Sequence, residues 1–181
     1  MKVFEAIEGR RSVRKYKDKD VEDEKIAKIL KAATWAPSWA NTQCWRFIVV
    51  RDEGIKKDLA DALSKGNPAT DAFLDAPVVI VGCAKREVSG YKGGEAVTEK
   101  GDWYMFDIGL AMQNLMLTAY SLSLGTVQTG SFEAQEAEKI LDIPEEVSVV
   151  SMTPVGYPDR EPNVPERKDL DEIVFENKYG K

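Results

Sequence analysis

A run of basic residues near the start of the chain is the first feature whose residue types could do chemistry. It reads RRSVRKYK and includes Arg10, Arg11, Ser12 and Arg14. The planar guanidinium group of arginine matches the oxygens of a phosphate group, and a serine hydroxyl adds a neutral donor. Two or three such charge-assisted bonds, each worth about 1.5–3 kcal/mol, would anchor a phosphate group firmly. Taken alone, the run fits a solvated basic surface equally well.

A second run, APSWANTQCW at residues 36–45, places polar side chains beside two tryptophans. Pro37 ends the preceding helix, and Ser38, Asn41 and Gln43 supply hydroxyl and amide groups. This mixture suits the edge of a planar heteroaromatic ligand, where amides contact polar atoms and apolar groups cover a ring. The alternative is a helix stop whose tryptophans pack in the core.

Two weaker signals lie later in the chain. The segment LGTVQTGSF, residues 124–132, contains a turn with glycines that could expose backbone N–H groups to a ring nitrogen. Arg167 and Lys168 form a basic pair close to the end of the chain. As isolated features, these two segments are more typical of a strand end and of surface charge.

Composition narrows the possible chemistry. The 181 residues carry 25 Lys and Arg against 31 Asp and Glu, a net charge of −6, and contain no histidine. The acidic balance disfavours binding to nucleic acids or anionic membranes, and the lack of histidine excludes Ser-His-Asp and Cys-His catalysis. Cys44 and Cys83 have no metal or redox spacing, and no apolar signal segment begins the chain. We therefore expect a cytoplasmic protein without a metal site, whose chemistry is carried by a cofactor.

Hydrophobic periodicity predicts the elements that must position these residues. A short helical stripe precedes the basic run, and longer helices are predicted at residues 21–35, 55–63, 102–122 and 133–141. Strands are predicted at residues 45–50, 77–84, 147–155 and 173–175, the first two buried, and residues 85–100 are predicted to form a loop. No strand is followed by GxGxxG or GxxxxGK, so cationic side chains would have to hold any phosphate-bearing ligand.

Taken together, these motifs resemble one family. RRSVRKY, then APSxxNxQxWRF about 25 residues later, the helix DIGLAMQNLMLTAYSLSLGT and a late GYP followed by RK are similar to the FMN-dependent nitroreductase family. The resemblance covers nearly the whole chain in the same order. Cys44 departs from it, because the family usually has proline between this glutamine and tryptophan.

The resemblance implies an α+β fold with a mainly antiparallel sheet flanked by helices. Residues 1–181 would form a single FMN-binding domain, and a C-terminal tail of about residues 160–181 would wrap around the partner subunit. The assembly would be an intertwined homodimer with two FMN sites at its interface, each built from residues of both subunits.

The resemblance also implies a role for individual residues. Arg10, Ser12, Arg167 and Lys168 would hold the FMN phosphate, with Arg11 beside them. Arg14 would lie near the pyrimidine end of the flavin, where positive charge stabilises the anionic reduced form. The partner subunit would contribute the loop that contains Pro37, Ser38, Asn41 and Gln43. Thr129 and Gly130 would place a backbone donor near flavin N5, with Asn67 and Gln128 as further contacts.

The function implied is an oxidoreductase that moves two electrons from NADH or NADPH through FMN to a small acceptor, such as a nitroaromatic compound or a quinone. No protein acid or base is needed, because the cofactor carries the electron chemistry. Within the same fold, a reductive dehalogenase of the iodotyrosine type or a flavin-fragmenting enzyme stays open. A non-catalytic FMN-binding module is the alternative from a different class.

Overall fold

The computed structural model describes residues 1–180. Its helices are α1 (Val3–Gly9), α2 (Asp23–Ala33), α3 (Glu53–Asp61), α4 (Thr70–Asp75), α5 (Tyr104–Ser121), α6 (Ala134–Ile140) and α7 (Leu170–Ile173). Its strands are β1 (Trp45–Val50), β2 (Val78–Lys85), β3 (Tyr91–Lys92), β4 (Glu95–Ala96), β5 (Gly125–Thr126) and β6 (Val147–Gly156), and a 3-10 turn spans Trp39–Asn41. Among these residues, no helix combines the length and apolarity that crossing a bilayer requires.

A four-stranded sheet with the order β1-β2-β6-β5 organises the chain, and each neighbouring pair is antiparallel. The predicted α+β class with an antiparallel sheet is therefore confirmed. The run VVIVGCA of β2 is buried throughout because β2 lies inside the sheet. The prediction that β1 is buried was wrong, because β1 pairs only with β2 and leaves Arg46 and Val49 exposed at the sheet edge.

Helices cover both faces of the sheet. Because successive side chains of a strand point to opposite faces, Val78 and Ile80 of β2 pack with α2 and α5, whereas Val79 and Val81 pack with α3, α4 and α6. The long helix α5 buries one face completely, including Ile108, Met112 and Leu115. The sheet is thus a rigid layer between two apolar cores.

Three local predictions needed correction. Residues 85–100 are not only loop, because the β3–β4 hairpin turns at two glycines with positive φ, Gly93 and Gly94. The strand predicted at residues 173–175 was wrong: α7 occupies Leu170–Ile173, where Asp169 and Glu172 form a capping box that favours a helix. Helix α4 was not predicted.

The basic run is held in an extended conformation beside β5. The Val13 amide donates to the Thr126 carbonyl oxygen, N···O 2.9 Å, and Ser12 forms a parallel bridge with Thr126. The buried Tyr16 hydroxyl donates to the carbonyl oxygens of Val13, at 2.8 Å, and Pro154, at 3.2 Å. Burial raises the pKa of the Tyr16 phenol, so the group stays neutral and remains a donor.

Gly125 permits this close approach. A Cβ atom at residue 125 would lie 2.7 Å from the Val13 Cβ. We expect Gly125→Ala to lower the free energy of unfolding of the apoprotein by about 1–3 kcal/mol, because Val13 would have to move off the sheet. Gly130→Ala is the matched control, since no atom lies within 4 Å of a Cβ built at residue 130. Urea titrations at one protein concentration measure the free energy of unfolding of both variants. Equal unfolding midpoints for Gly125→Ala and Gly130→Ala would contradict the close-packing argument.

Candidate flavin site

A cationic cavity of about 830 Å³ lies between the basic run and the segment of residues 160–167. The predicted residues Arg10, Arg11, Ser12, Arg14 and Arg167 all line it. The two ends of the chain therefore converge here, although more than 150 residues separate them. Pairing with β5 fixes one side of the cavity, and the segment that follows β6 forms the other side.

Part of the positive charge in this cavity is not balanced by acids. Within residues 1–180, Arg10 and Arg167 form no ion pair, and Glu161 lines the cavity without bridging to them. The pKa of Arg10 is lowered by burial first, and then by the like charges of Arg11 and Arg167. An anion bound here would offset the repulsion among the three guanidinium groups and supply the counter-charge that the chain does not provide.

Lys15 and Arg11, unlike Arg10, have side-chain partners within the chain. Lys15 pairs with Asp71 and Asp75, at 3.5 and 3.2 Å. Arg11 turns back toward the end of α1, where its Nη1 donates to the carbonyl oxygens of Glu8 and Arg10. The sequence could not separate these roles, because they depend on the neighbours of each basic side chain in the fold.

A second cavity, of about 370 Å³, adjoins the first through Arg14, which lines both. The predicted residues Asn67, Gln128, Thr129 and Gly130 line this cavity. Arg14 has no hydrogen-bond partner among residues 1–180, so its charge is available to a ligand that spans both cavities.

Backbone contacts decide which groups in the second cavity are free donors. The Thr129 amide donates to the Met152 carbonyl oxygen, N···O 2.8 Å, so it is committed to the sheet. The Gly130 amide donates to no acceptor in residues 1–180. The Asn67 Nδ2 donates to the Ser131 carbonyl oxygen at 3.0 Å, and its Oδ1 accepts from the Ala69 amide at 2.9 Å. Gly130, rather than Thr129, is therefore the available backbone donor.

Five predicted residues line neither cavity in this chain. They are Pro37, Ser38, Asn41, Gln43 and Lys168. The first four belong to a loop whose Ala40, Asn41 and Gln43 all have positive φ values, a conformation that costs free energy for residues other than glycine. The Ser38 Oγ accepts a hydrogen bond from the Gln43 amide at 3.0 Å and helps to hold this shape.

Sequence analysis missed several residues of the site. Arg160 lines the cationic cavity, and Lys65 lines the second cavity. Lys65 precedes a Gly-Asn-Pro turn signal that could have drawn attention to the loop. Asp107 was also missed. The sequence signal was an acidic residue in the most apolar helix, and the structure shows that this residue is only 1% exposed.

Both cysteine thiols are buried and free. Burial, followed by the nearby Asp107 carboxylate, raises the pKa of Cys44 to about 12. Burial, followed by Glu138, raises the pKa of Cys83 to about 12. Because the thiolate is the nucleophilic form, neither cysteine is a reactive group of the site.

The chain is similar to proteins from several organisms. A protein of Methanothermobacter thermautotrophicus, provisionally named NADH dehydrogenase/NAD(P)H nitroreductase, is 35% identical over 97% of this chain and 87% of its own length. An FMN-dependent nitroreductase of Clostridium difficile superposes with a TM-score of 0.81 and 30% identity, covering 97% of this chain and 99% of that one. A nitroreductase family protein of Clostridium novyi superposes with a TM-score of 0.79 and 32% identity, covering 99% and 96% of the two chains.

The family comparison covers most of the chain. The model of the nitroreductase family matches residues 7–72 and 65–157, which contain the basic run, the Pro37–Gln43 loop, α5 and β6. This agrees with the antiparallel sheet and with the second cavity, whose lining residues all lie within the match, whereas residues 160–167 of the cationic cavity follow it. The chain therefore belongs to the nitroreductase family of NAD(P)H-dependent flavin oxidoreductases.

Proposed function

We propose that this chain binds FMN across the two adjoining cavities and transfers two electrons from NADH or NADPH to a small acceptor, such as a nitroaromatic compound or a quinone. The observation that carries the proposal is the unbalanced positive charge at Arg10 and Arg167. It lies beside Ser12 and is continuous, through Arg14, with a cavity that contains a free backbone donor.

The cationic cavity fits the phosphate of FMN. A phosphate dianion would relieve the repulsion among Arg10, Arg11 and Arg167, and the Ser12 hydroxyl could donate to a third oxygen. Lys168 follows Arg167 directly and is exposed, so it would approach the same phosphate only if the tail adjusts on binding.

The second cavity fits the polar edge of a flavin ring. The Gly130 amide donates to no acceptor within residues 1–180, and no atom lies within 4 Å of a Cβ built at this residue. Arg14 would bring positive charge to the same edge, and Asn67 and Gln128 offer amide groups at the rim. When bound, FMN supplies the two-electron chemistry, and these residues bind and orient it.

The rest of the site would come from a second copy of the chain. The partner subunit's Pro37, Ser38, Asn41 and Gln43 would cover the ring, since this loop lines neither cavity of its own chain yet exposes polar side chains. Exposed apolar surface supports a homodimer: Val3 and Phe4 of α1 are 72% and 74% exposed, and Ile173 after the basic pair is 55% exposed. Patches of this kind on an isolated chain mark an interface.

The first prediction concerns FMN affinity. Replacing Arg10 and Arg167 by alanine together should raise the FMN dissociation constant on the order of 100-fold or more, because each guanidinium contributes a charge-assisted bond worth about 1.5–3 kcal/mol. Quenching of flavin fluorescence on titration into the apoprotein measures this constant. Lys28→Ala combined with Lys57→Ala, at exposed positions of α2 and α3, removes the same number of charges and is the control. A double variant that retains stoichiometric FMN through dialysis would refute the phosphate assignment.

The second prediction concerns assembly. Light scattering of the wild-type protein should give twice the 20.2 kDa mass of the chain. Phe4→Glu combined with Ile173→Glu should shift this equilibrium toward monomer, because burying two carboxylates in an apolar interface is costly. Leu74→Glu on α4, where the apolar side chain is also exposed, is the control and should stay dimeric. A folded monomer that binds flavin in the wild type would contradict the shared site.

The third prediction concerns the kinetic mechanism and tests the function as a whole. Hydride transfer needs the reacting atoms of the nicotinamide and flavin rings about 3–3.5 Å apart. The electron acceptor needs the same face of the flavin ring, so the nucleotide and the acceptor should occupy the site in turn. Steady-state rates should then give parallel double-reciprocal lines, and the oxidised nucleotide should compete with the acceptor. Intersecting lines would indicate a sequential mechanism, as expected of a specialised enzyme of this fold. A lack of nucleotide oxidation would favour a non-catalytic flavin module.

A further inference from the structure

We infer that Asp107 is a positioning residue of the flavin site, holding the Pro37–Gln43 loop in the shape that it presents to the partner subunit. Asp107 lies in the first turn of α5 and is 1% exposed. A buried carboxylate normally needs a cation or several donors, because burial of an isolated charge is costly. Within residues 1–180, Asp107 forms no ion pair.

Three neutral donors from two segments satisfy Asp107 instead. The Trp39 amide lies 3.1 Å from Oδ1 and 3.2 Å from Oδ2. The Ser89 hydroxyl donates to Oδ2 at 2.7 Å, and the Cys44 thiol lies 3.6 Å from the same oxygen. All three donors reach Oδ2, and the Trp39 amide also reaches Oδ1, so each oxygen of the carboxylate faces at least one donor. An asparagine would turn its NH₂ toward one of these donors, because its amide carries only one acceptor oxygen.

The segment held by the Trp39 amide is the strained one. Trp39 begins the 3-10 turn, and Ala40, Asn41 and Gln43 follow it in the left-handed region, with φ values of 44°, 56° and 49°. Strain of this kind persists only where surrounding contacts enforce the geometry. The bond from the Trp39 amide to Asp107 ties the start of the turn to α5, which the sheet holds rigidly.

The same carboxylate connects a second segment to this loop. Ser89 lies in the segment between β2 and α5, and its hydroxyl is buried on Asp107. At the end of that segment, Trp103 packs against Trp39 with ring centroids 5.2 Å apart. Asp107 therefore holds the Trp39 backbone directly and the Trp103 backbone through Ser89, whose carbonyl oxygen accepts from the Trp103 amide at 3.0 Å. Loosening it should disturb the Pro37–Gln43 loop and the segment before α5 together.

Hydrogen exchange tests the positioning role without using the cofactor. In the apoprotein, Asp107→Asn should accelerate amide exchange about tenfold or more at Trp39 and at the bonded loop amides of Asn41, Thr42 and Gln43, in line with the loss of charge-assisted bonds, while β2 stays protected. Ser89→Ala is the matched variant, and it should accelerate exchange at Trp103, whose amide donates to the Ser89 carbonyl oxygen, while leaving the Trp39 amide protected. Unchanged exchange at these loop amides in Asp107→Asn would overturn the inference.

A wild-type measurement covers the case in which Asp107→Asn does not fold. The Trp39 amide, bonded to a buried carboxylate, should exchange at least tenfold more slowly than the Ala40 amide, which has no acceptor among residues 1–180. Equal exchange at the two amides would show that the carboxylate does not hold the turn, and it would overturn the inference without any variant.

The effect on flavin rests on the proposed function. If the partner subunit's loop covers the ring, Asp107→Asn should raise the FMN dissociation constant about tenfold and shift the visible absorption bands of the bound flavin, whereas a purely structural role would only lower stability. Loss of FMN binding in the Arg10 and Arg167 double variant establishes the site itself. If the Arg10 and Arg167 double variant binds FMN normally, the proposed function fails. If Asp107→Asn accelerates amide exchange but leaves the flavin spectrum and affinity unchanged, only the link between the Pro37–Gln43 loop and the flavin is overturned.

Discussion

Pairing of the basic run with β5 is the interaction on which the candidate site depends. The Val13 amide bonds to the Thr126 carbonyl oxygen, and the absent side chain of Gly125 lets the two backbones approach this closely. Because alternate residues of an extended segment point in opposite directions, Val13 enters the core while Ser12 and Arg14 face the cavities. One short stretch of backbone thus supplies the apolar anchor and the cationic lining.

Two buried or half-buried charges are treated in opposite ways in this fold. Asp107 is surrounded by neutral donors, so its charge is satisfied within the chain and serves to hold backbone in place. Arg10 faces like charges and no acid partner within residues 1–180, so its charge is left for a ligand. Both are ionisable side chains, but the hydrogen bonds of Asp107 lie within the chain, whereas the charge of Arg10 has no acid partner within residues 1–180.

The sequence predicted the parts of the structure that local patterns determine. Buried strand β2 and the long helix α5 follow from apolar runs. Arg10, Ser12 and Arg167 line one cavity as the family resemblance implies, and their binding of a phosphate stays a prediction. The side-chain direction of Arg11 could not be predicted, because it depends on free carbonyl oxygens at the end of α1. The apolar triplet at residues 173–175 favours a strand by composition, yet the capping box at Asp169 and Glu172 decides for a helix. How the Pro37–Gln43 loop meets a partner subunit stays a prediction.

The burial of the two thiols bears on survival of the protein under oxidative stress. Oxidants attack cysteine through its thiolate, and a thiol with a pKa of about 12 is ionised in only about one molecule in 10⁵ at pH 7. Cys44 and Cys83 should therefore resist conversion to sulfenic acid and mixed disulfides even where peroxide accumulates. The core can therefore contain two free cysteines that do not exchange electrons with cellular oxidants and thiols.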